Sequence, residues 1–119
     1  LTVEDLTAGR RFADVVATSA FNIDIHHADD NAQHTVRVPC YHIPYRALVP
    51  KGLEGLLVAG RCISGTHEAQ ASYRVTGDCS EMGEAAGLAA AEAALRDCGL
   101  REVDVKRIRA IVAKGGAIG

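Results

Sequence analysis

A glycine at the end of an apolar run, followed further on by a helix of small side chains, is the part of this sequence that points most clearly to chemistry. The run at residues 55–59 ends on Gly60 and Arg61, and the later helix contains Met82 and Gly83. A strand that stops on glycine and a glycine-opened helix bring bare backbone close to a phosphate or a flat ring. The pattern predicts contact with a large cofactor.

Three arginines stand next to turn signals or predicted strand ends: Arg46, Arg61 and Arg74. The guanidinium fork suits a carboxylate or a phosphate, so these side chains could clamp an anion. The other interpretation is that they are surface cations.

His67 follows Gly65 and Thr66 and precedes Glu68. Imidazole exchanges protons near neutral pH, so His67 could give a proton to a substrate or take one from it. A histidine in a turn can also be a plain hydrogen-bonding residue.

Small residues recur every four positions at Gly83, Gly87 and Ala91. Such spacing lets a helix pack closely on a sheet, and at its first turn it also gives a cofactor access to the backbone. Both interpretations can hold at once.

A metal site is not expected. Cys40 and His42, with His26 and His27 nearby, could bind zinc, but Cys-x-His is too tight for the usual ligand spacing and no second pair completes four ligands. The cysteines, at positions 40, 62, 79 and 98, show no closely spaced pair. We expect reduced thiols and a cytoplasmic location.

Several elements must position these residues. Thr2 and Asp5 form a capping-box pattern that opens a short helix. Alternating segments around residues 21–26 and 34–41 predict an antiparallel hairpin with a turn at 29–31. Residues 45–49, between two prolines, predict an edge strand.

The second half reads differently. Residues 55–60 are apolar without alternation and predict a strand covered on both faces, although a buried helical segment fits as well. Asp78 or Ser80 can cap a helix that runs to about Cys98, with Gly99 just past its end. Asp104 caps a last helix through Val112. The order of elements indicates an α/β or α+β fold: strands and a hairpin, then a late sheet strand and two C-terminal helices.

Length and charge exclude some classes. The chain has 119 residues and a formal charge of −2, which gives no electrostatic reason for binding nucleic acid or an anionic membrane. No apolar run approaches the roughly 20 residues of a membrane span. The first residue is Leu1, and we expect the chain to be one domain or a piece of one taken from a longer polypeptide.

The combination of Tyr45-Arg46, residues 59–64, residues 66–69 and residues 83–87 resembles the C-terminal part of FAD-dependent oxidoreductases with a glutathione-reductase-type flavin domain. The resemblance covers nearly the whole chain and implies FAD as cofactor. It implies that residues 51–119 are the C-terminal part of an FAD-binding domain, and that residues 1–50 belong to a substrate-side region. The fold would be an incomplete part of an FAD/NAD(P)-binding fold.

The resemblance also implies roles for individual residues. Gly60 and Arg61 match the end of a late strand, while Met82 and Gly83 match a helix start that approaches the flavin ring. Arg46, Tyr45 and Arg74 would bind substrate, with His67 and Arg61 as candidate catalytic residues.

Two features depart from the family pattern. These residues contain no Gly-x-Gly-x-x-Gly, so we expect the dinucleotide-binding region that holds the pyrophosphate to be missing. Glu84 stands where a neutral glutamine is expected.

The sequence thus predicts a C-terminal fragment of an FAD-dependent oxidoreductase. The fragment would supply the flavin-ring side of the site and part of a pocket for a small, anionic organic substrate. Alone, it would be inactive and could form a homo-oligomer. Two alternatives stay open: a non-catalytic module that pairs with a separate dinucleotide-binding subunit, and a small metal-binding protein.

Overall fold

The computed structural model describes residues 1–26 and 33–114 of the chain. Four α-helices and two small antiparallel sheets form a mixed fold, as the sequence predicts. The chain runs in the order α1 (Val3–Thr7), β1 (Val15–Ser19), β2 (Ile23–His26), β3 (Gln33–Val36), β4 (Tyr41–Pro44), α2 (His67–Tyr73), α3 (Thr76–Arg96) and α4 (Val105–Ala113). Short 3-10 helices cover Tyr45–Leu48, Gly60–Cys62 and Leu100–Glu102.

The first helix confirms the predicted capping box. The Thr2 hydroxyl accepts from the Asp5 amide, and the Asp5 carboxylate accepts from the Thr2 amide. Two orphan donors at the helix start are thereby satisfied.

The predicted hairpin is confirmed, but its second strand ends at Val36, and Tyr41 belongs to strand β4 instead. Strands β2 and β3 pair antiparallel, with Ile23 opposite Val36 and His26 opposite Gln33. The predicted turn at residues 29–31 lies outside the described residues.

A second sheet joins β1 to β4, with Ser19 opposite Tyr41. Strand β1 gave no alternating signal because Val15, Val16 and Ala17 are all buried. A strand covered on both faces has no polar side to show in its sequence.

The predicted edge strand at residues 45–49 is wrong. Tyr45–Leu48 is a 3-10 helix in which Tyr45, Ala47 and Leu48 are buried. The Asp14 carbonyl accepts from the Tyr45 amide at 2.7 Å, and the Asp14 carboxylate accepts from the Arg46 amide at 3.2 Å. These bonds to Asp14 hold the segment as a tight turn. An exposed Arg46 between buried apolar neighbours is compatible with a 3-10 helix as well as with a strand, so the sequence pattern did not distinguish the two.

The predicted late sheet strand at residues 55–60 is also wrong. Residues 56–59 have no regular secondary structure and are partly exposed, Gly60 begins a 3-10 helix, and the Val58 amide donates to the Leu48 carbonyl at 2.9 Å. Gly55 and Gly60 have φ angles of +72° and +67° and bend the chain at both ends. Within the described ranges no strand lies beside the segment to complete a ladder.

Helix α3 begins earlier than expected. The sequence predicts a cap at Asp78 or Ser80 and a helix start at Met82 and Gly83, yet the cap position is Val75 and the first helical residue is Thr76. Val75 has an extended backbone and separates α2 from α3, so α3 begins directly after it. Asp78 therefore lies within the first turn of α3. At the other end the left-handed residue is Asp97, at φ 51°, rather than Gly99.

Helix α4 begins after Asp104, whose carboxylate accepts from the Lys106 amide at 3.0 Å, as predicted. Its Ile108 is fully buried.

One hydrophobic core holds these elements together. Its fully buried large side chains come from α1, β4, the 3-10 helix after β4, α2, α3 and α4, namely Leu6, Tyr41, Ile43, Leu48, Tyr73, Met82 and Ile108. Helix α3 packs on β1 and α4, while α2 packs on β2. None of the helices described is long and apolar enough to cross a membrane.

Candidate functional site

A cavity lies at the start of helix α3, beside the bend at Gly60. We call it the α3-start cavity, and its lining residues are Ala59, Gly60, Arg61, Thr76 and Cys79. Its volume is about 430 Å³, which lies within the range of small-molecule sites, about 300–1,000 Å³. Sequence analysis placed Gly60 and Arg61 together, and the structure sets both against the α3 start.

Gly60 is required by the backbone at this point. Its φ of +67° lies in the left-handed region, where a side chain is strained. A Cβ atom built on it would come within 3.3 Å of the Cys79 Sγ atom. The absent side chain therefore leaves the α3 start open on this side.

The start of α3 presents free donors. The first amides of a helix have no partner within the helix, and Val75 supplies no side-chain cap. The helix is 21 residues long, so its aligned peptide dipoles add positive potential at this end. Arg61, exposed in the 3-10 helix Gly60–Cys62, adds a full positive charge beside it.

The carboxyl group of Asp78, in the first turn of α3, lies in the core and not in the cavity. It is 9% exposed, and its Oδ2 atom accepts from the Ser19 hydroxyl at 2.5 Å. Burial raises the pKa of the Asp78 carboxyl, against the opposing effect of the Ser19 hydrogen bond. Asp78 therefore ties α3 to strand β1.

A second cavity lies between α2 and strand β2. This α2 polar pocket has a volume of about 200 Å³ and is lined by Asp24, Ile25, His26, His67, Gln70, Ala71 and Arg74. His67 is the exposed first residue of α2, and the Thr66 hydroxyl caps that helix by accepting from the Ala69 amide. The structure thus places His67 on a helix rather than in a turn, and brings it together with Arg74.

Arg74 stands between the two cavities. Its side chain reaches back to Asp24, with Nη2 at 3.8 Å from Oδ2 of the carboxylate and 3.4 Å from the backbone carbonyl oxygen. Its own carbonyl accepts from Arg61 Nε at 3.4 Å and from the Cys79 thiol at 3.5 Å. Arg61 and Arg74 are therefore connected through the backbone of one residue.

Tyr45 and Arg46 lie apart from both cavities. The Tyr45 hydroxyl donates to the Leu100 carbonyl at 2.7 Å, and burial raises its pKa. Arg46 pairs with the Asp14 carboxylate, and its guanidinium lies over the Phe12 ring, 4.8 Å from the centroid. Tyr45 and Arg46 have structural contacts here, so the structure does not bring them to His67 and Arg74.

Met82 and Gly83 lie in the second turn of α3. Met82 is fully buried, so its side chain cannot line either cavity, and Gly83 is exposed. Gly87 is exposed as well, so neither glycine packs on a sheet within the described residues. Glu84 lines a different cavity, near Val16, Glu81 and Arg109, which keeps its charge away from the α3-start cavity.

No metal centre is evident in the part of the chain described. Among residues 1–26 and 33–114, no group of three or more His, Cys, Asp or Glu side chains could hold a metal ion. The four cysteines are free thiols.

Sequence reasoning missed Asp24, Gln70, Thr76 and Cys79 as site residues. Thr76 and Cys79 follow from the earlier start of α3. The Thr66 cap before an alanine-rich segment was a usable sign of α2, and it would have placed Gln70 and Arg74 on the same side as His67.

A glycine bend, an arginine and an uncapped helix start around one cavity are features of proteins that bind an anionic or flat aromatic cofactor. A family model described as FAD dependent oxidoreductase matches residues 1–112. The chain belongs to this family, which confirms the predicted membership of the FAD-dependent oxidoreductases. Comparison with curated proteins and with solved structures gave no match.

Proposed function

We propose that this chain contributes the flavin-ring side of the cofactor site, and part of the substrate pocket, of an FAD-dependent oxidoreductase. The pyrophosphate-binding part would come from outside this sequence, since the residues contain no Gly-x-Gly-x-x-Gly. Family membership supports the cofactor class. The α3-start cavity is the observation that carries the assignment to this end of the flavin.

The residues around this cavity fit a flavin ring system. Gly60 leaves room for a flat group. The Thr76 and Gly77 amides have no acceptor within helix α3 or from a Val75 side-chain cap in the part of the chain described, so they offer donors to its carbonyl oxygens. The helix start and the Arg61 charge favour negative charge on a group bound there. In oxidoreductases of this class the flavin supplies the hydride or electron chemistry, while the protein binds and orients.

Met82 and Gly83, which the sequence predicted to contact the cofactor, have other roles in this proposal. Met82 supports the helix from the core side, and Gly83 lies one turn further along α3 than the amides at its start. The substrate side is formed by His67 and Arg74, which share the α2 polar pocket. Arg61 lies between the two groups, through its bond to the Arg74 carbonyl.

Nuclear magnetic resonance of the isotope-labelled chain tests the proposal. Riboflavin, which carries the ring without adenine or pyrophosphate, is expected to shift the amide signals of Gly60, Arg61 and residues 76–79. Adenosine diphosphate is expected to leave them unchanged. Arg61→Gln should weaken riboflavin binding by about tenfold, the effect of losing one charge-assisted contact.

Arg101→Gln is the matched control, since Arg101 is an exposed arginine that pairs with Glu54 elsewhere on the surface. It should leave riboflavin binding unchanged. Shifts produced only by adenosine diphosphate, or riboflavin shifts spread over other elements, would contradict the assignment. If the purified chain keeps FAD through desalting, these residues bind the whole cofactor. That result would contradict the proposal that the pyrophosphate-binding part comes from outside this sequence.

The interaction-module alternative has one observation in its favour. Large apolar side chains are exposed at Leu53, Leu56 and Leu95, and the last of these is 84% exposed. Such side chains are often covered by a partner. The metal-binding alternative gains no support from the described residues.

A further inference from the structure

The α2 polar pocket contains more hydrogen-bond donors than the interactions within it use. Two histidines, a glutamine and an arginine line a space of about 200 Å³ together with one aspartate, Asp24. Among the described residues that line the pocket, Asp24 is the only acidic one. Its carboxylate already has partners there: His26 Nε2 lies at 2.9 Å and Arg74 Nη2 at 3.8 Å from Oδ2.

Arg74 keeps two of its guanidinium nitrogens available. Both of its contacts with Asp24 use Nη2, and its side chain remains 38% exposed. In the part of the chain described, the Nη1 and Nε donors are not taken up by these contacts. Each of these donors can form a charge-assisted hydrogen bond with a carboxylate oxygen.

The other donors surround the same space. His67 lies one turn of α2 before Gln70, so the two side chains are neighbours on one helix face. A neutral imidazole has one N–H donor and a primary amide has two. His26 faces the pocket from strand β2, where its Nε2 atom is held by Asp24.

We propose that the α2 polar pocket binds a small organic carboxylate, held by the Nη1 and Nε donors of Arg74 and by His67 and Gln70. Asp24 and His26 act as positioning residues, since Asp24 fixes both Arg74 and His26. The assignment of the pocket as the substrate subsite of an oxidoreductase rests on the proposed function. The proposal that the pocket binds a carboxylate does not depend on it.

Volume limits the size of the ligand. A water molecule takes about 30 Å³ of liquid, so the pocket holds a ligand of about six or seven non-hydrogen atoms. Short-chain monocarboxylates and small oxo- or hydroxy-acids fit this limit. Larger substrates would have to extend out of the pocket mouth.

Titration of the flavin-free, isotope-labelled chain with sodium propionate at constant ionic strength tests the proposal. Propionate is expected to shift the amide signals of Ile25, Gln70 and Ala71 and to saturate in the millimolar range. Propionamide has the same shape without the charge and is expected to cause no saturable shift. Arg74→Gln should weaken propionate binding by about tenfold.

Arg107→Gln is the matched control for Arg74→Gln, because Arg107 is also a partly exposed arginine paired with a largely buried carboxylate, that of Glu92. It should bind propionate as the parent chain does. If Arg74→Gln loses its native spectrum, His67→Ala supplies the second test, since His67 is exposed and its loss should also weaken binding severalfold.

Three outcomes would overturn the proposal: no saturable shift with propionate, equal shifts with propionamide, or inorganic phosphate binding as tightly as propionate. The riboflavin experiment is separate, so its failure would leave the carboxylate pocket intact. Conversely, a chain that binds riboflavin but not propionate would keep the proposed function and lose this inference.

Discussion

Asp78 shows how one buried acid can set the response of the protein to pH. Its carboxylate accepts from the Ser19 hydroxyl, and a second buried contact nearby joins the Tyr41 hydroxyl to the Ser72 hydroxyl at 2.7 Å. Burial raises the pKa of Asp78, and burial also raises that of Tyr41. A buried acid with a raised pKa favours its protonated form in the folded state.

We therefore expect Asp78→Asn to remove part of the pH dependence of stability. Because the folded-state pKa lies above the unfolded value, the contribution of Asp78 is fully present below pH 3.8 and is lost as pH rises through the folded pKa. The free energy of unfolding of Asp78→Asn, relative to the parent chain, should rise from pH 4 to pH 7. Urea denaturation at several pH values measures it.

Asp97→Asn is the control for this change. Asp97 is exposed, and asparagine also accepts the left-handed backbone found at that position. Its effect on stability should not vary in the same way with pH. A parent chain and an Asp78→Asn variant with parallel pH profiles would contradict the role given to Asp78.

Two of the three glycines of helix α3, Gly83 and Gly87, lie beyond its first turn and have no neighbour among the described residues that explains them. A Cβ atom on Gly83 or Gly87 would meet nothing within 4 Å, and both residues are exposed in the helix interior. Glycine lowers helix stability there relative to alanine. Within the described residues, nothing in the packing requires these glycines.

Gly83→Ala is expected to stabilise the chain by about 1 kcal/mol. The gain comes from the lower backbone entropy of the unfolded chain and from better helix propensity. Thermal or urea unfolding measures it, with Gly60→Ala as the contrast: a side chain at φ +67° and 3.3 Å from Cys79 Sγ should destabilise. Destabilisation by Gly83→Ala would show that another surface packs closely on this face.

The elements differ in how much the sequence determines them. The Thr2–Asp5 capping box and the Asp104 cap depend on neighbouring residues, and both were predicted correctly. Tyr45–Leu48 and residues 55–60 depend on distant backbone partners, Asp14 and Leu48, which no local pattern reveals. The α2 polar pocket joins Asp24 to Arg74, 50 residues apart, so its composition could not be predicted from spacing.

On the scale of the whole molecule, three large apolar side chains are exposed at positions next in sequence to residues that line one cavity. Leu53 and Leu56 are about half exposed, at 56% and 47%, and Leu95 on α3 is more exposed still. Near them a cavity of about 540 Å³ is lined by small residues of α3, among them Ala90 and Ala94, and by Leu57 and Leu100. These apolar side chains are in contact with water.

The chain is expected to self-associate through this surface as its concentration increases. Burial of apolar area contributes about 25 cal/mol per Å², so Leu56→Gln combined with Leu95→Gln should shift the equilibrium toward monomer. Sedimentation velocity over a range of concentrations measures the change. Phe21→Gln, which alters an exposed apolar residue far in sequence from Leu56 and Leu95, is the control, and an equal shift in that variant would contradict the assignment of the surface.

The position of Arg74 has a consequence for how the two cavities communicate. Its carbonyl bonds to Arg61 and Cys79 at the α3-start cavity, while its guanidinium lines the α2 polar pocket. A ligand that shifts Arg74 in one cavity changes the free energy of ligand binding in the other cavity, and such coupling is reciprocal. Propionate should therefore alter the affinity for riboflavin by the same factor as riboflavin alters the affinity for propionate. Occupancy of either cavity thus sets the ligand affinity of the other.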